Sequence, residues 1–153
     1  MSSRLSRQSV YRLAPRLAKH LKALGDVAPG STLNRTLIHL VNLRVSQINH
    51  CCFCQHLHSQ QARDDGEHQV RLDVLPAWRE APCFSTQERA ALAWAEALTQ
   101  VNQQAVSDSD YQNALAAFGE QGLLDLTALI VQINGWNRVS VGFQFAPDLG
   151  MAD

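Results

Sequence analysis

Residues 48–58 read INHCCFCQHLH, with Cys51, Cys52 and Cys54 inside four positions and His50, His56 and His58 around them. On a helix that begins at Cys51 and turns about 100° per residue, Cys54 falls at about 300° and His58 at about 340°, so the three share one stripe. Cys52 and His56, at about 100° and about 140°, form a separate pair on another face. A helix N-terminus offers unpaired N–H groups and a partial positive charge, both of which favour a thiolate over a thiol. In CxxC motifs this lowers the cysteine pKa from about 8.5 to roughly 3.5–7.5. The thiolate is the form that attacks peroxides and disulfides. His58, four residues after Cys54, is spaced to take or deliver a proton at that sulfur. A partner cysteine three residues away can condense with a sulfenic acid to give a disulfide.

The chain has 153 residues, 46% of them hydrophobic and 18% charged, with a net charge of −1. That apolar fraction excludes a disordered chain and suits one soluble globular domain over 1–153, with its core at about 33–145 and residues 1–14 irregular or peripheral. No run approaches the roughly eighteen apolar residues of a membrane span, and MSSRLSRQSVYR has charges without a following apolar stretch, so a cytoplasmic protein with no signal peptide is expected. A disulfide framework spreads its cysteines along a secreted chain. Here three crowd together and Cys83 stands alone, the distribution of a reactive or metal-binding site in a reducing compartment, with Cys83 read as packing.

Zinc is the alternative chemistry. Cys51 and Cys54 with two of His39, His50 and His58, in the first instance His39 and His58, offer soft donors for a tetrahedral metal in a redox-sensing or metal-binding module. No second CxxC or HxxxH follows at finger spacing. Cysteines buried as small hydrophobes are a third reading. Residues 1–44 hold eight Lys and Arg against Asp26 alone, while the rest holds five against thirteen acids. With Tyr11 the single aromatic interleaved among the basic residues, nucleic acid is not the expected partner; the two halves, or two subunits, neutralise each other.

Apolar spacing of three and four, without sustained alternation, predicts an all-α chain. Pro15 opens a helix through Leu24, and DVAPG (26–30) breaks it. A second helix starts with Ser31 or Thr32 as N-cap and ends at Asn49 and His50, with Arg44 on an otherwise apolar stripe and therefore paired internally or at a subunit contact. The third runs from the cysteines to Gly66, and a short fourth from Glu67 to Leu75 is closed by Pro76. Ser85 with Glu88 is a capping box opening a strong helix, and Ser107 with Asp110 repeats it before a helix that Gly119 terminates. The last helix starts at 120–122 and continues through Trp136 to Phe143 despite Gly135. Trp78, Trp94 and Trp136 are read as core or subunit-interface anchors, and Ser46 and Gln47 as hydrogen-bonding residues near a pocket.

From about Leu33 to Arg138 the chain resembles the AhpD-like alkylhydroperoxidases of the carboxymuconolactone decarboxylase superfamily. The segments that carry the likeness are LIHLVNLRVSQIN (37–49), CCFCQHLHSQQAR (51–63), LPAWREAPCFSTQERAALAWAEALT (75–99) and INGWNRVSVGFQ (133–144). The resemblance implies an all-α fold with a helical hairpin bearing the dithiol, assembly into a dimer, trimer or hexamer, and reduction of a hydroperoxide without a bound cofactor, the site being reset by an external dithiol. It makes Cys54 the peroxide-attacking cysteine, Cys51 its resolving partner and His58 part of a proton relay. The helix argument alone favours Cys51 as nucleophile, since Cys51 lies nearer the positive helix end. Lactone decarboxylation, the chemistry of the superfamily's name, has no evident need for paired thiols. Two departures stand out. His39 occupies the relay position where similar proteins have a glutamate, twelve residues before the first cysteine, and an imidazole supplies no fixed negative charge. His50 and Cys52 stand where small residues are frequent, and Phe53 where some members have histidine.

Overall fold

Leu37, Leu40, Val41 and Val45 recur at spacings of three and four, and the helix they belong to, α3 (Arg35–Ile48), buries all four. The computed structural model describes residues 4–27 and 29–150; residues 1–3 of the N-terminal segment, Ala28 of the DVAPG break and residues 151–153 lie outside the described residues. The remaining elements are α1 (Arg7–Leu13), α2 (Pro15–Leu24), α4 (Cys52–Asp64), α5 (Gln69–Val74) with a 3-10 turn at Leu75–Ala77, α6 (Thr86–Thr99) and α7 (Asp108–Phe143). No strand occurs among the described residues, so the all-α expectation holds.

α3 packs against α4, α6 and α7. Leu37, Val41 and Val45 join Trp94, Phe118, Leu126, Leu129, Ile130 and Ile133 in the main core. Leu40 and Leu43 pack with Leu72, Leu75, Trp78, Phe84 and Leu92 in a second cluster. Each fully buried Leu or Ile contributes about 1.5–3 kcal/mol. Between the clusters sits the carboxylate of Glu96, which accepts from Arg44 Nε and Trp78 Nε1, both at 2.8 Å, and from Arg79. Burial works to raise the Glu96 pKa, but these donors prevail and hold it below the usual glutamate value. Arg44 is thus paired internally, which was one of the two expectations for it.

Several boundaries differ from expectation. The segment before Pro15, expected to be irregular, a short separate turn or peripheral, forms the short helix α1: Ser6 Oγ accepts from the Ser9 amide at 3.2 Å, and Tyr11 meets Trp136 and Phe145 edge-on at 5.9 and 6.1 Å. The cap of α3 is Asn34, whose Oδ1 accepts from the Leu37 amide at 2.9 Å, while Ser31 is drawn away to Asp125 at 3.0 Å. α5 is shorter than expected, and Pro76 lies inside the 3-10 turn that follows it. Cys83 is exposed rather than packed, and its carbonyl accepts from Arg71.

Ser85 and Glu88 form a reciprocal capping box, worth about 1 kcal/mol. Ser107 caps the Asp110 amide at 3.1 Å, but the shorter Asp110 side chain turns to Ser107 Oγ at 2.7 Å, so only half of that device is present. α7 is interrupted at Gly119 (φ 68°, ψ 175°), where the sequence placed a stop. By length and composition alone α7 could cross a membrane, yet Leu123, Leu126, Leu129, Ile130 and Ile133 line the core. Gly135 is where α2 comes close: a Cβ there would stand 2.6 Å from Leu21 Cδ2.

Candidate functional site

The chain leaves α3 through a tight reversal. His50 adopts φ 53°, its amide bonds the Gln47 carbonyl at 3.1 Å, and the Cys51 amide bonds the Ser46 carbonyl at 3.0 Å. This is the Schellman pattern, with histidine where glycine is commonest. It delivers Cys51 directly as the N-cap of α4, with its Sγ accepting from the Cys54 amide at 3.3 Å. Cys54 is therefore in the first turn, Cys52 is exposed, and all four cysteines are free thiols.

Cys51 and Cys54 are 1% and 3% exposed, so the surrounding hydrogen bonds decide their ionisation. Cys54 Sγ lies 3.6 Å from Ser140 Oγ. The Asn137 amide is also aimed at that sulfur, fixed by Asn49 Nδ2 on its oxygen at 2.9 Å and by its own Nδ2 on Ser46 Oγ at 3.0 Å. Donation from Cys51, resisted by burial and supplemented by Ser140 and Asn137, brings Cys54 down to about 7 from the ordinary thiol value of 9.0. Cys51 moves the opposite way, because its thiol is held as donor to Cys54 and burial reinforces this. In this geometry Cys54, and not the cysteine nearer the helix end, is the more acidic thiol.

Cys54 opens into a cavity of about 310 Å³ that His58 also lines, with Arg7, Tyr11, Phe53, Leu57 and Trp136 among its walls. Cys51 lines a different cavity, of about 430 Å³, with Cys52, Gln144 and Pro147. Among the described residues no hydrogen bond joins His58 to Cys54: His58 Nδ1 bonds Gln61 Oε1 at 3.0 Å. Burial, with His39 nearby adding to it, pushes the His58 pKa down to about 4, so its imidazole is neutral at pH 7.

His39 lies behind His58, in a third cavity of about 350 Å³ that Asn42, Gln61 and Asp65 also line. A carboxylate reaches His39 from the end of α4: His39 Nε2 bonds Asp65 Oδ2 at 2.5 Å, and Arg35 meets the same oxygen at 2.8 Å. The His39 bond, then Arg35, holds the Asp65 carboxyl below its usual range. His39 Nδ1 and Asn42 Oδ1 are buried without a hydrogen-bond partner among the described residues.

The zinc set Cys51, Cys54, His39 and His58 is not gathered. No three His, Cys, Asp or Glu side chains converge as metal ligands among the described residues, because His39 is turned to Asp65 and Cys51 to the α4 backbone. Trp78 and Trp94 are in the core, and Trp136 packs against the main core while also lining the thiol cavity. Ser46 buttresses Asn137, while Gln47 bonds Arg44 at 3.4 Å instead of facing the cavity. Sequence reasoning gave no role to Asn137, Ser140, Asp65 or Tyr11. The one available signal was the pair Asn137 and Ser140, polar residues three apart on the buried face of an otherwise apolar helix.

Residues 15–97, more than half of the chain, match the carboxymuconolactone decarboxylase family. The uncharacterised protein YdfG of Bacillus subtilis is 37% identical over 135 residues, 88% of this chain and 92% of that one. The uncharacterised protein YnjA of Escherichia coli is 34% identical over 119 residues, 78% of this chain and 63% of that one. A solved structure from Agrobacterium tumefaciens, ATU0492, of unknown function and named for antioxidant defence as an AhpD, superposes with a TM-score of 0.86 at 32% identity, covering 97% of this chain and 99% of that one. With the dithiol hairpin and the helical fold in place, the chain belongs to the AhpD-like carboxymuconolactone decarboxylase superfamily.

Proposed function

We propose that the protein is a thiol-dependent hydroperoxide reductase. The observation that carries this reading is a buried cysteine pair with split acidities, Cys54 at about 7 and Cys51 raised, in which the more acidic sulfur faces a cavity walled by Tyr11, Phe53, Leu57 and Trp136. Those walls favour an organic hydroperoxide over a small inorganic one.

The Cys54 thiolate attacks the terminal peroxide oxygen. A sulfur–oxygen bond forms, the O–O bond breaks, and the departing alkoxide takes up a proton to leave as an alcohol. His58, neutral in the same cavity, passes that proton, and the His39–Asp65 pair behind it supplies the negative charge that position 39 lacks. Cys51 then attacks the Cys54 sulfenic acid, forming the disulfide and releasing water. An external dithiol reduces the disulfide, with access through the second cavity on the Cys51 side. The chain self-associates, as in the oligomers implied by the resemblance.

The test is turnover and thiol count. Wild-type protein treated with one equivalent of an organic hydroperoxide loses two free thiols, and Cys54→Ser loses both that reaction and turnover. Unchanged turnover in Cys54→Ser overturns the assignment.

A further inference from the structure

The basic N-terminal segment has no part in the chemistry above, yet α1 brings it to the thiol cavity. Tyr11 lines that cavity beside Cys54 and stacks edge-on against Trp136. Burial raises the Tyr11 phenol, opposed by the Arg7 charge and reinforced by the Cys54 sulfur, as expected for three groups sharing one space. Arg7 also lines the cavity, with its guanidinium 5.1 Å from the centre of the Phe53 ring. Arg7 and Phe53 further border an outer cavity of about 670 Å³, which Arg4, Phe145 and Asp148 line as well. The two spaces thus meet at a guanidinium standing on an aromatic face. Arg4 is anchored at the outer cavity by donating to the Gly142 carbonyl at 2.8 Å.

We propose that α1 makes this cavity selective for an organic hydroperoxide that also bears a carboxylate. The apolar body lies among Tyr11, Phe53, Leu57 and Trp136, the peroxide end reaches Cys54, and the carboxylate meets Arg7, with Arg4 at the mouth. Cation–π contact holds a guanidinium in place while leaving its N–H edge free, and that planar edge pairs with a carboxylate through two parallel hydrogen bonds. Among the described residues Asp148 is the one acidic residue lining the outer cavity, and no carboxylate lines the inner one, so the field at the junction is set by Arg7 and Arg4. The family match begins at residue 15, which leaves α1, Arg4 and Arg7 outside the family model, although the likeness to ATU0492 covers 97% of the chain. Selectivity of this kind belongs to the N-terminal helix α1 and not to the segment that the family model matches. The inference rests on Cys54 as the hydroperoxide-attacking residue, but the selectivity itself can be read without turnover.

Binding of two unreactive probes of nearly equal shape, 4-isopropylbenzoate and 4-isopropylbenzamide, is measured on the full-length reduced protein by intrinsic tryptophan fluorescence, to which Trp136 contributes. The benzoate is expected to bind roughly tenfold more tightly than the neutral amide, the preference weakening with added salt. In Arg7→Gln the preference falls to about twofold or less, and in Arg7→Lys part of it returns. Arg12→Gln, an exposed position on the same helix outside both cavities, keeps the wild-type preference. Equal affinities in the wild type, or an undiminished preference in Arg7→Gln, overturn the proposal. In a second arm, turnover of cumene hydroperoxide bearing a para-carboxylate is compared with its methyl ester, and the ratio of kcat/KM follows the binding preference. Wild-type protein that reduces neither peroxide but retains the benzoate preference removes the reductase reading and leaves the carboxylate site supported.

Discussion

Cys54 depends on partners far along the chain: Ser140 is 86 positions away, and the Asn137 amide is steered by Asn49 and Ser46. The CxxC spacing and a helix N-terminus explain why one sulfur is acidic, but not which one. Cys51 spends its sulfur capping the Cys54 amide and donating its proton to Cys54, and this asymmetry selects the second cysteine. Because the folded Cys54 pKa is depressed, the thiolate is present above about pH 7 and is lost as pH falls through that value. None of the groups that hold this thiolate touches Asp65, so Asp65→Asn should separate ionisation from proton delivery. Alkylation of Cys54 by iodoacetamide in Asp65→Asn should keep its midpoint at about pH 7, while the rate of hydroperoxide-driven oxidation drops roughly tenfold or more and Asp65→Glu recovers most of it. An oxidation rate equal to wild type would remove Asp65 from the relay.

At the level of helices, what could be read from the sequence was whatever is decided within about one turn of chain. The start of a helix at the cysteines, the Ser85–Glu88 box and the interruption at Gly119 rest on local spacing and local backbone preference, and each is found where the sequence placed it, although Cys51, as the cap, faces a different cavity from Cys54 and His58. The N-terminal helix was not legible, because its seven residues are held by aromatic contacts to Trp136 and Phe145, which lie at the other end of the chain. Asn34 replaced Ser31 as a cap for a similar reason, since a distant carboxylate, Asp125, competes for the serine. His39 was read as a departure at a relay position, and the Asp65 carboxylate beside it depends on how α3 and α4 pack. Gly119 offers a clean test of the local part. Its φ of 68° with ψ of 175° belongs to a region that side chains avoid, and an added Cβ would meet nothing within 4 Å, so Gly119→Ala introduces backbone strain without collision. The substitution should cost about 1–3 kcal/mol, visible as a lower denaturant midpoint at unchanged m-value. Stability equal to wild type would mean that α7 can run straight through this position.

For the molecule as a whole, folding buries one face of α7 and leaves the other apolar. Leu124 and Val131, 64% and 52% exposed, are seven residues apart and so lie on one face two turns apart. The charge balance points the same way, since residues 1–44 are strongly basic and the remainder acidic, an arrangement in which copies can neutralise one another. The proposed self-association should therefore give, by light scattering at tens of micromolar, a mass that is a multiple of 16.9 kDa. Leu124→Glu combined with Val131→Glu should shift it to the single-chain mass with helicity retained, because both side chains point away from the core. The dithiol should be indifferent to that change, since Cys51, Cys54, His58, Asn137 and Ser140 all come from one chain, and Cys54 alkylation should keep its midpoint at about pH 7 in the dissociated form. A wild-type protein that runs at the single-chain mass would rule out self-association, and a midpoint that moved on dissociation would mean that a neighbouring copy helps hold the thiolate.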